Sequence, residues 1–210
     1  MGIIVQKFGG TSVADTDKIK NVASAVIREK KNGNDVIVVV SAMGHTTDYL
    51  VKMARDITSC PNSREMDMLL ATGEQVSIAL LTMAIQAQGY AAVSMNAMQV
   101  GIITECVHSK ARIVDIKTNK LKEHLDKGEI IVVAGFQGVT PDGEITTLGR
   151  GGSDTSAVAI AGAMNADRCD IYTDVEGVYT TDPRIVPCAT KLKEISYEEM
   201  LELAHCLLYT

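Results

Sequence analysis

Two short runs, Val36-Ile37-Val38-Val39-Val40 and Ile130-Ile131-Val132-Val133-Ala134, contain no polar residue. A strand with one wet face alternates apolar and polar residues, so an unbroken aliphatic run is expected where a strand is buried on both sides of a parallel sheet. Parallel neighbours need long crossover connections, usually helices, and longer amphipathic stretches do separate the short runs. Ile3–Phe8 reads as a strand ended by Gly9-Gly10, and Ser12 and Asp15 have the spacing of a capping box. Apolar residues at 19, 22, 23, 26 and 27 then mark one helix face, closed by Gly33-Asn34. Further helices are predicted from about Ser63 to Gln88, over Asp115–Asp126, and from a Ser153 cap to about Met164. Strands are predicted at Ala91–Met95 and Asp170–Thr173, with a turn at Thr140-Pro141-Asp142-Gly143. This alternation predicts an α/β fold layered around a mostly parallel sheet. No internal repeat, low-complexity tract or linker interrupts it, so one domain is expected.

Composition narrows the partners. Of 210 residues, 46% are hydrophobic and 22% charged, an ordinary globular balance that argues against disorder. The formal charge of −6 disfavours nucleic acid or an anionic membrane as the main partner. The apolar runs fall well short of the roughly 18–20 residues that span a bilayer, and Met1–Val5 does not resemble a secretory leader. A cytoplasmic protein is expected. Cys60, Cys106, Cys169, Cys188 and Cys206 are scattered, as are the four histidines, so no metal-ligand cluster is expected.

In α/β sheets ligands collect at the carboxyl ends of strands. Three segments fall at such places. Lys7-Phe8-Gly9-Gly10-Thr11-Ser12 can wrap an anion in backbone N–H groups beneath a lysine ammonium. Taken alone it fits a plain strand-ending turn with a solvated lysine better, because Gly-Gly turns are common. Gly149-Arg150-Gly151-Gly152-Ser153-Asp154 again places glycines before a helix, with an arginine able to grip a carboxylate or phosphate in bidentate fashion. Asp154 alone could merely complement the helix dipole, which accounts for neither the glycines nor the arginine. The third segment runs from Tyr172 to Arg184 and by itself is just a polar loop. P-loop, dinucleotide-fold, protein-kinase and serine-hydrolase signatures are absent.

Taken together, KFGGTS at 7–12, GRGGSDTSA at 149–157 and YTDVEGVYTTDPR at 172–184 resemble the amino-acid kinase superfamily and, within it, the aspartate kinases. Ser41-Ala42-Met43-Gly44, Thr72-Gly73-Glu74, Lys110-Ala111-Arg112-Ile113 and Gly135-Phe136-Gln137-Gly138 match in the same order, so the likeness runs over about residues 2–204. The resemblance implies a three-layer α/β/α sandwich around a mostly parallel central sheet. It implies transfer of the ATP γ-phosphoryl group to the β-carboxylate of L-aspartate, with Mg2+ carried by the nucleotide, in a homodimer. Lys7 would neutralise the transferring phosphoryl, Gly9 and Gly10 would donate N–H groups, and Asp154 would orient Lys7. Arg150 would hold the α-carboxylate of aspartate and Glu74 its α-ammonium, with Ser41, Thr47 and Ser153 completing that side. Thr173, Asp174, Tyr179 and Arg184 would hold the nucleotide. Arg112 is left without a role.

The resemblance ends after Glu202-Leu203-Ala204. Family members continue through a small-residue turn to a lysine that reaches the nucleotide, and Tyr209 stands about where that lysine would be. The expectation is therefore a single catalytic domain over 1–210, incomplete at its carboxyl end and without the ACT regulatory domains. The alternative is a non-catalytic or weakly active module of the same fold that binds aspartate or pairs with another subunit.

Overall fold

The computed structural model describes residues 2–174 and 177–207, the last four by backbone alone. Two compact units result, Met1–Thr173 and Asp174–Thr210.

The first unit begins with strand β1 (Ile3–Phe8), a short 3₁₀ turn over Gly10–Val13 and helix α1 (Thr16–Lys31). Strand β2 (Asp35–Val40) and helices α2 (Thr46–Ile57) and α3 (Ser63–Gln86) follow. Then come β3 (Ala92–Met95), the single turn α4 (Ala97–Val100), β4 (Ile102–Thr104), β5 (Ile113–Ile116) and α5 (Asn119–Asp126). Strands β6 (Ile130–Ala134), β7 (Gln137–Val139) and β8 (Ile145–Thr147), helix α6 (Gly152–Met164) and β9 (Arg168–Tyr172) complete it.

The main sheet has the order β3-β6-β2-β1-β9 and is parallel throughout. Successive side chains of a strand point to opposite faces, so the aliphatic runs of β2 and β6 feed two cores at once. Val36, Val38, Val40, Ile130 and Val132 pack with Ile19, Val22 and Val26 of α1 and with Ile78, Leu81 and Ile85 of α3. Ile37, Val39, Ile131 and Val133 pack on the other face with Leu121 of α5 and with Ala157 and Ile160 of α6. The predicted α/β/α layering follows directly from these two contact sets. Helix α3 has the length and composition of a membrane span. It is a core helix here, because one side buries Ala71, Ile78, Leu81 and Ile85 together with the carboxylates of Asp67 and Glu74.

Several local expectations are corrected. Asp15, not Ser12, caps α1 by accepting from the Lys18 N–H at 2.8 Å, while Ser12 lies inside the 3₁₀ turn. The predicted helix at Asp115 begins instead as β5, because Ile113–Ile116 pairs antiparallel with β4, and helix starts only after Thr118. Ser153 is not a cap: Gly151 at φ +70 turns the chain and leaves Ser153 within the first turn of α6. A second, mixed sheet of order β5-β4-β7-β8 and helix α2 escaped the sequence reading. Their strands are three or four residues long, too short for a period to register.

In the second unit Tyr179 and Lys191 form an antiparallel bridge, and helix α7 (Tyr197–Leu207) closes the described chain. Tyr209 lies outside the described residues.

The two-faced core makes α3 a sensitive element. Leu81→Ala, at a fully buried position, is expected to cost about 2–5 kcal/mol in urea unfolding. Val76→Ala, half exposed on the same helix, should stay within about 0.5 kcal/mol, and equal losses at both would contradict this packing.

Candidate active site

The parallel register sets the strand ends level. Lys7 pairs with Val39, Phe8 with Val40, and Val40 with Ala134, so the chain leaves β1, β2 and β6 side by side. The three exits are Gly9-Gly10, Ser41-Ala42 and Gly135-Phe136. Gly10 and the β2 exit pack backbone on backbone: the Gly44 N–H donates to the Gly10 carbonyl at 3.0 Å. A Cβ on Gly10 would stand 2.8 Å from the Ala42 carbonyl oxygen, so only glycine fits. Over these exits lies the loop from Gly149 into α6, and together they enclose a cleft of about 630 Å³.

Lys7, Gly9, Gly10, Ser41, Thr47, Glu74, Arg150, Ser153 and Asp154 all line that cleft. Lys7 is nearly buried, and its ammonium lies 2.7 Å from Asp154 Oδ1. At that distance the two form an ion pair across the cleft wall. A Cβ on Gly9 would come within 3.5 Å of the Lys7 ammonium, so glycine leaves the space beside that cation open.

Glu74 is the second charged feature, only 2% exposed. Its Oε1 accepts from the Ala42 N–H at 3.0 Å, whereas Oε2 is buried without a hydrogen-bond partner. Burial pushes its acid up to about 7, opposed in part by backbone N–H donors. Gly73 makes this seat possible. A Cβ there would stand 2.9 Å from that of Ala42, so α3 reaches the β2 exit only because residue 73 has no side chain. A partly ionised carboxyl with an orphaned oxygen calls for a cationic guest, whereas Lys7 and the glycine backbones call for an anion.

Thr173 follows β9 in the first unit and is not among the residues lining this cleft. Asp174, Tyr179 and Arg184 belong to the second unit. There Arg184 grips Asp182 through Nη2 at 2.6 Å and Nε at 3.0 Å, holding that carboxyl down to about 2. A hollow of about 370 Å³ within that unit is lined by Glu194, Glu199 and Glu202 with no basic residue, a poor match for a phosphate.

Asp48, which the sequence did not single out, lines the cleft, as does Phe136, which the motif Gly135-Phe136-Gln137-Gly138 contains but to which no role was given. Phe136 holds φ +66, unusual for a residue with a side chain. Its N–H donates to Ser156 Oγ at 3.1 Å and its carbonyl accepts from Leu148 at 2.9 Å. Its place just past the aliphatic run 130–134, matching that of Lys7 and Ser41 on their own strands, was the available signal. Asp67, wholly buried on α3, was also missed.

Residues 2–206 match the family model described as the amino acid kinase family. The chain belongs to that family. This amino acid kinase is 64% identical over 205 residues to an aspartokinase of Geobacillus stearothermophilus, covering 98% of this chain and 50% of the relative. It spans about half the length of the curated relatives it matches. Among solved structures it superposes on aspartate kinase from Synechocystis with a TM-score of 0.83 and 54% identity, over 96% of this chain and 33% of that one. E. coli aspartokinase III, solved with aspartate and ADP in its R-state, gives a TM-score of 0.85 at 29% identity, over 97% and 56%.

Glu74 couples this site to stability. Its carboxyl titrates near 4.5 unfolded and near 7 folded, so across that window the unfolded chain loses the proton first and stability falls as pH rises. Glu74→Gln, which removes that liability, should gain up to about 3 kcal/mol relative to the parent between pH 5 and pH 8. Urea unfolding at both pH values measures it, and a difference independent of pH would refute the buried-acid account.

Proposed function

We propose that this amino acid kinase acts as an ATP-dependent aspartate kinase, giving 4-phospho-L-aspartate and ADP at the first step towards lysine, threonine and methionine. The observation that carries this reading is one cleft holding both the Lys7–Asp154 pair beside open glycine backbones and a buried, half-satisfied Glu74. Kinship with aspartokinases supports the same choice of substrate. The non-catalytic alternative is not favoured, because the expected Lys7, Glu74, Arg150 and Asp154 share that cleft.

In the proposed reaction a β-carboxylate oxygen of aspartate bonds to the γ-phosphorus as the bridging P–O bond breaks, and the electron pair leaves on ADP. The nucleophile is already ionised at neutral pH, so no general base is needed. Catalysis then rests on holding two anions together. Lys7 offsets charge on the transferring group, Asp154 fixes the position of its ammonium, and Gly9 and Gly10 offer backbone donors. Arg150, on the cleft's rim, takes the α-carboxylate. Glu74 takes the α-ammonium, whose charge favours the ionised form of a carboxyl otherwise held near 7. Ser41, Thr47 and Ser153 bound the substrate side, and Thr173, Asp174, Tyr179 and Arg184 serve adenine, ribose and phosphates.

Mg2+ would arrive on the nucleotide and would supply charge neutralisation for its phosphates. Asp154, whose Oδ1 faces the Lys7 ammonium at 2.7 Å and whose side chain is part-exposed to the cleft, would offer a carboxylate oxygen on that side. The enzyme would act in the cytoplasm as a homodimer, the latter testable by sedimentation.

A hydroxylamine trap detects the acyl phosphate as aspartyl hydroxamate. Lys7→Ala is expected to lower its rate by about 10²–10³-fold, comparable to loss of one preorganised charge-stabilising donor. No hydroxamate above that variant's background would end the kinase reading.

A further inference from the structure

The cleft's glycine loop has an anchor outside the cleft. Asp67 sits on α3 seven residues before Glu74, two turns away on the same face. It is wholly buried, and a buried carboxylate is costly unless hydrogen bonds satisfy it. Its donors come from two other segments. Thr147 Oγ1, at the end of β8, donates to Oδ1 at 2.6 Å. The Ser109 N–H reaches Oδ2 at 2.9 Å and Oδ1 at 3.2 Å, and His108 Nδ1 lies 2.9 Å from Oδ2. The same two segments are joined again by the Ala111 N–H donating to the Thr147 carbonyl at 3.0 Å.

Both segments bear on the loop that carries Arg150. Thr147 is three residues before it, and the next residue, Leu148, is tied to Phe136 at the β6 exit. Ser109 holds φ +68, a left-handed conformation unusual for a residue with a side chain and held here by its N–H on the Asp67 carboxylate. The Ser109 carbonyl oxygen lies 3.4 Å from where a Cβ on Gly149 would stand, and Lys110 Cγ lies 3.8 Å from the same point. Gly149, at φ +79, therefore turns against a wall whose position Asp67 sets. Asp67 itself does not line the cleft.

We propose that Asp67 is a positioning residue: through Thr147 and Ser109 it fixes the Gly149–Gly152 loop, and so the place of Arg150 in the cleft it shares with Glu74. This rests on the reading of the cleft as an aspartate kinase site. One helix then holds both ends of the amino-acid substrate, the ammonium directly through Glu74 and the α-carboxylate at second hand through Asp67. The expected consequence is selective: loosening the anchor weakens aspartate and leaves ATP alone.

Thr147→Val removes the shortest of these hydrogen bonds while keeping the shape, and Thr147→Ser restores the hydroxyl. Trypsin cleavage after Arg150 and Lys110 should quicken at least about fivefold in Thr147→Val, with cleavage after Lys52 on α2 unchanged and Thr147→Ser at the parental rate. In the hydroxamate assay the same variant should raise KM for aspartate about tenfold with KM for ATP unchanged. Uniform quickening at all three sites, no quickening at any, or equal changes in both KM values would overturn the proposal. A parent chain that makes no hydroxamate would count against the kinase reading alone, because the cleavage pattern still decides whether Asp67 holds the loop.

Discussion

Everything in the cleft depends on the level parallel register of β1, β2 and β6. Backbone ladders hold Phe8 beside Val40 and Val40 beside Ala134, so three chain exits open at one edge with no freedom to slide. A slip of one residue in β2 would turn Val36, Val38 and Val40 away from α1 and α3 and exchange the two cores. Because each face has its own helices to satisfy, burial on both sides fixes the register more tightly than either side alone. The lysine at the end of β1 then has one place to put its ammonium.

Helix α3 carries the opposite burden. It fills the core with Leu81 and Ile85, yet also takes two carboxylates out of water at Asp67 and Glu74. The two are satisfied differently. Asp67 is surrounded by a hydroxyl, a backbone N–H and an imidazole, so its charge is spent on architecture. Glu74 has a single backbone donor from another element and an orphaned oxygen. Under the kinase reading, the incomplete satisfaction at one of two otherwise similar sites is where stability is given up for binding.

The layered fold was legible because Val36–Val40 of β2 and Ile130–Ala134 of β6 are unbroken aliphatic runs separated by longer amphipathic stretches. Glu74 stood out as a charge in an apolar stretch after Thr72-Gly73, whereas Lys7 by itself read as a solvated lysine at a strand-ending turn and stood out only through the resemblance. The small sheet was not legible, because β4, β7 and β8 are three residues each, too short for an alternating period to register. Asp67 looked like an ordinary acidic residue in the first turns of a helix. Its burial comes from β8 and from residues 108–109, some eighty and forty positions away, and no local pattern announces such a contact. Ser153 was misread as a cap because it follows two glycines, but the left-handed turn at Gly151 had already started the helix.

The asymmetry between the two charged centres bears on selectivity. Lys7 has an ionic partner in Asp154 within the protein itself, so an arriving anion must share that cation. Among the described residues Glu74 has no such partner, so a guest with a positive group would supply one. Under the kinase reading, a diacid without an ammonium would leave Glu74 Oε2 as it stands, buried and unbonded. Sites built around an unsatisfied polar group reject analogues lacking its complement far more strongly than apolar pockets reject a missing methylene. On that reading, discrimination for an amino acid resides in the oxygen the fold leaves unbonded, while the Lys7 end, already charge-paired, would suit transfer between anions rather than choice among them.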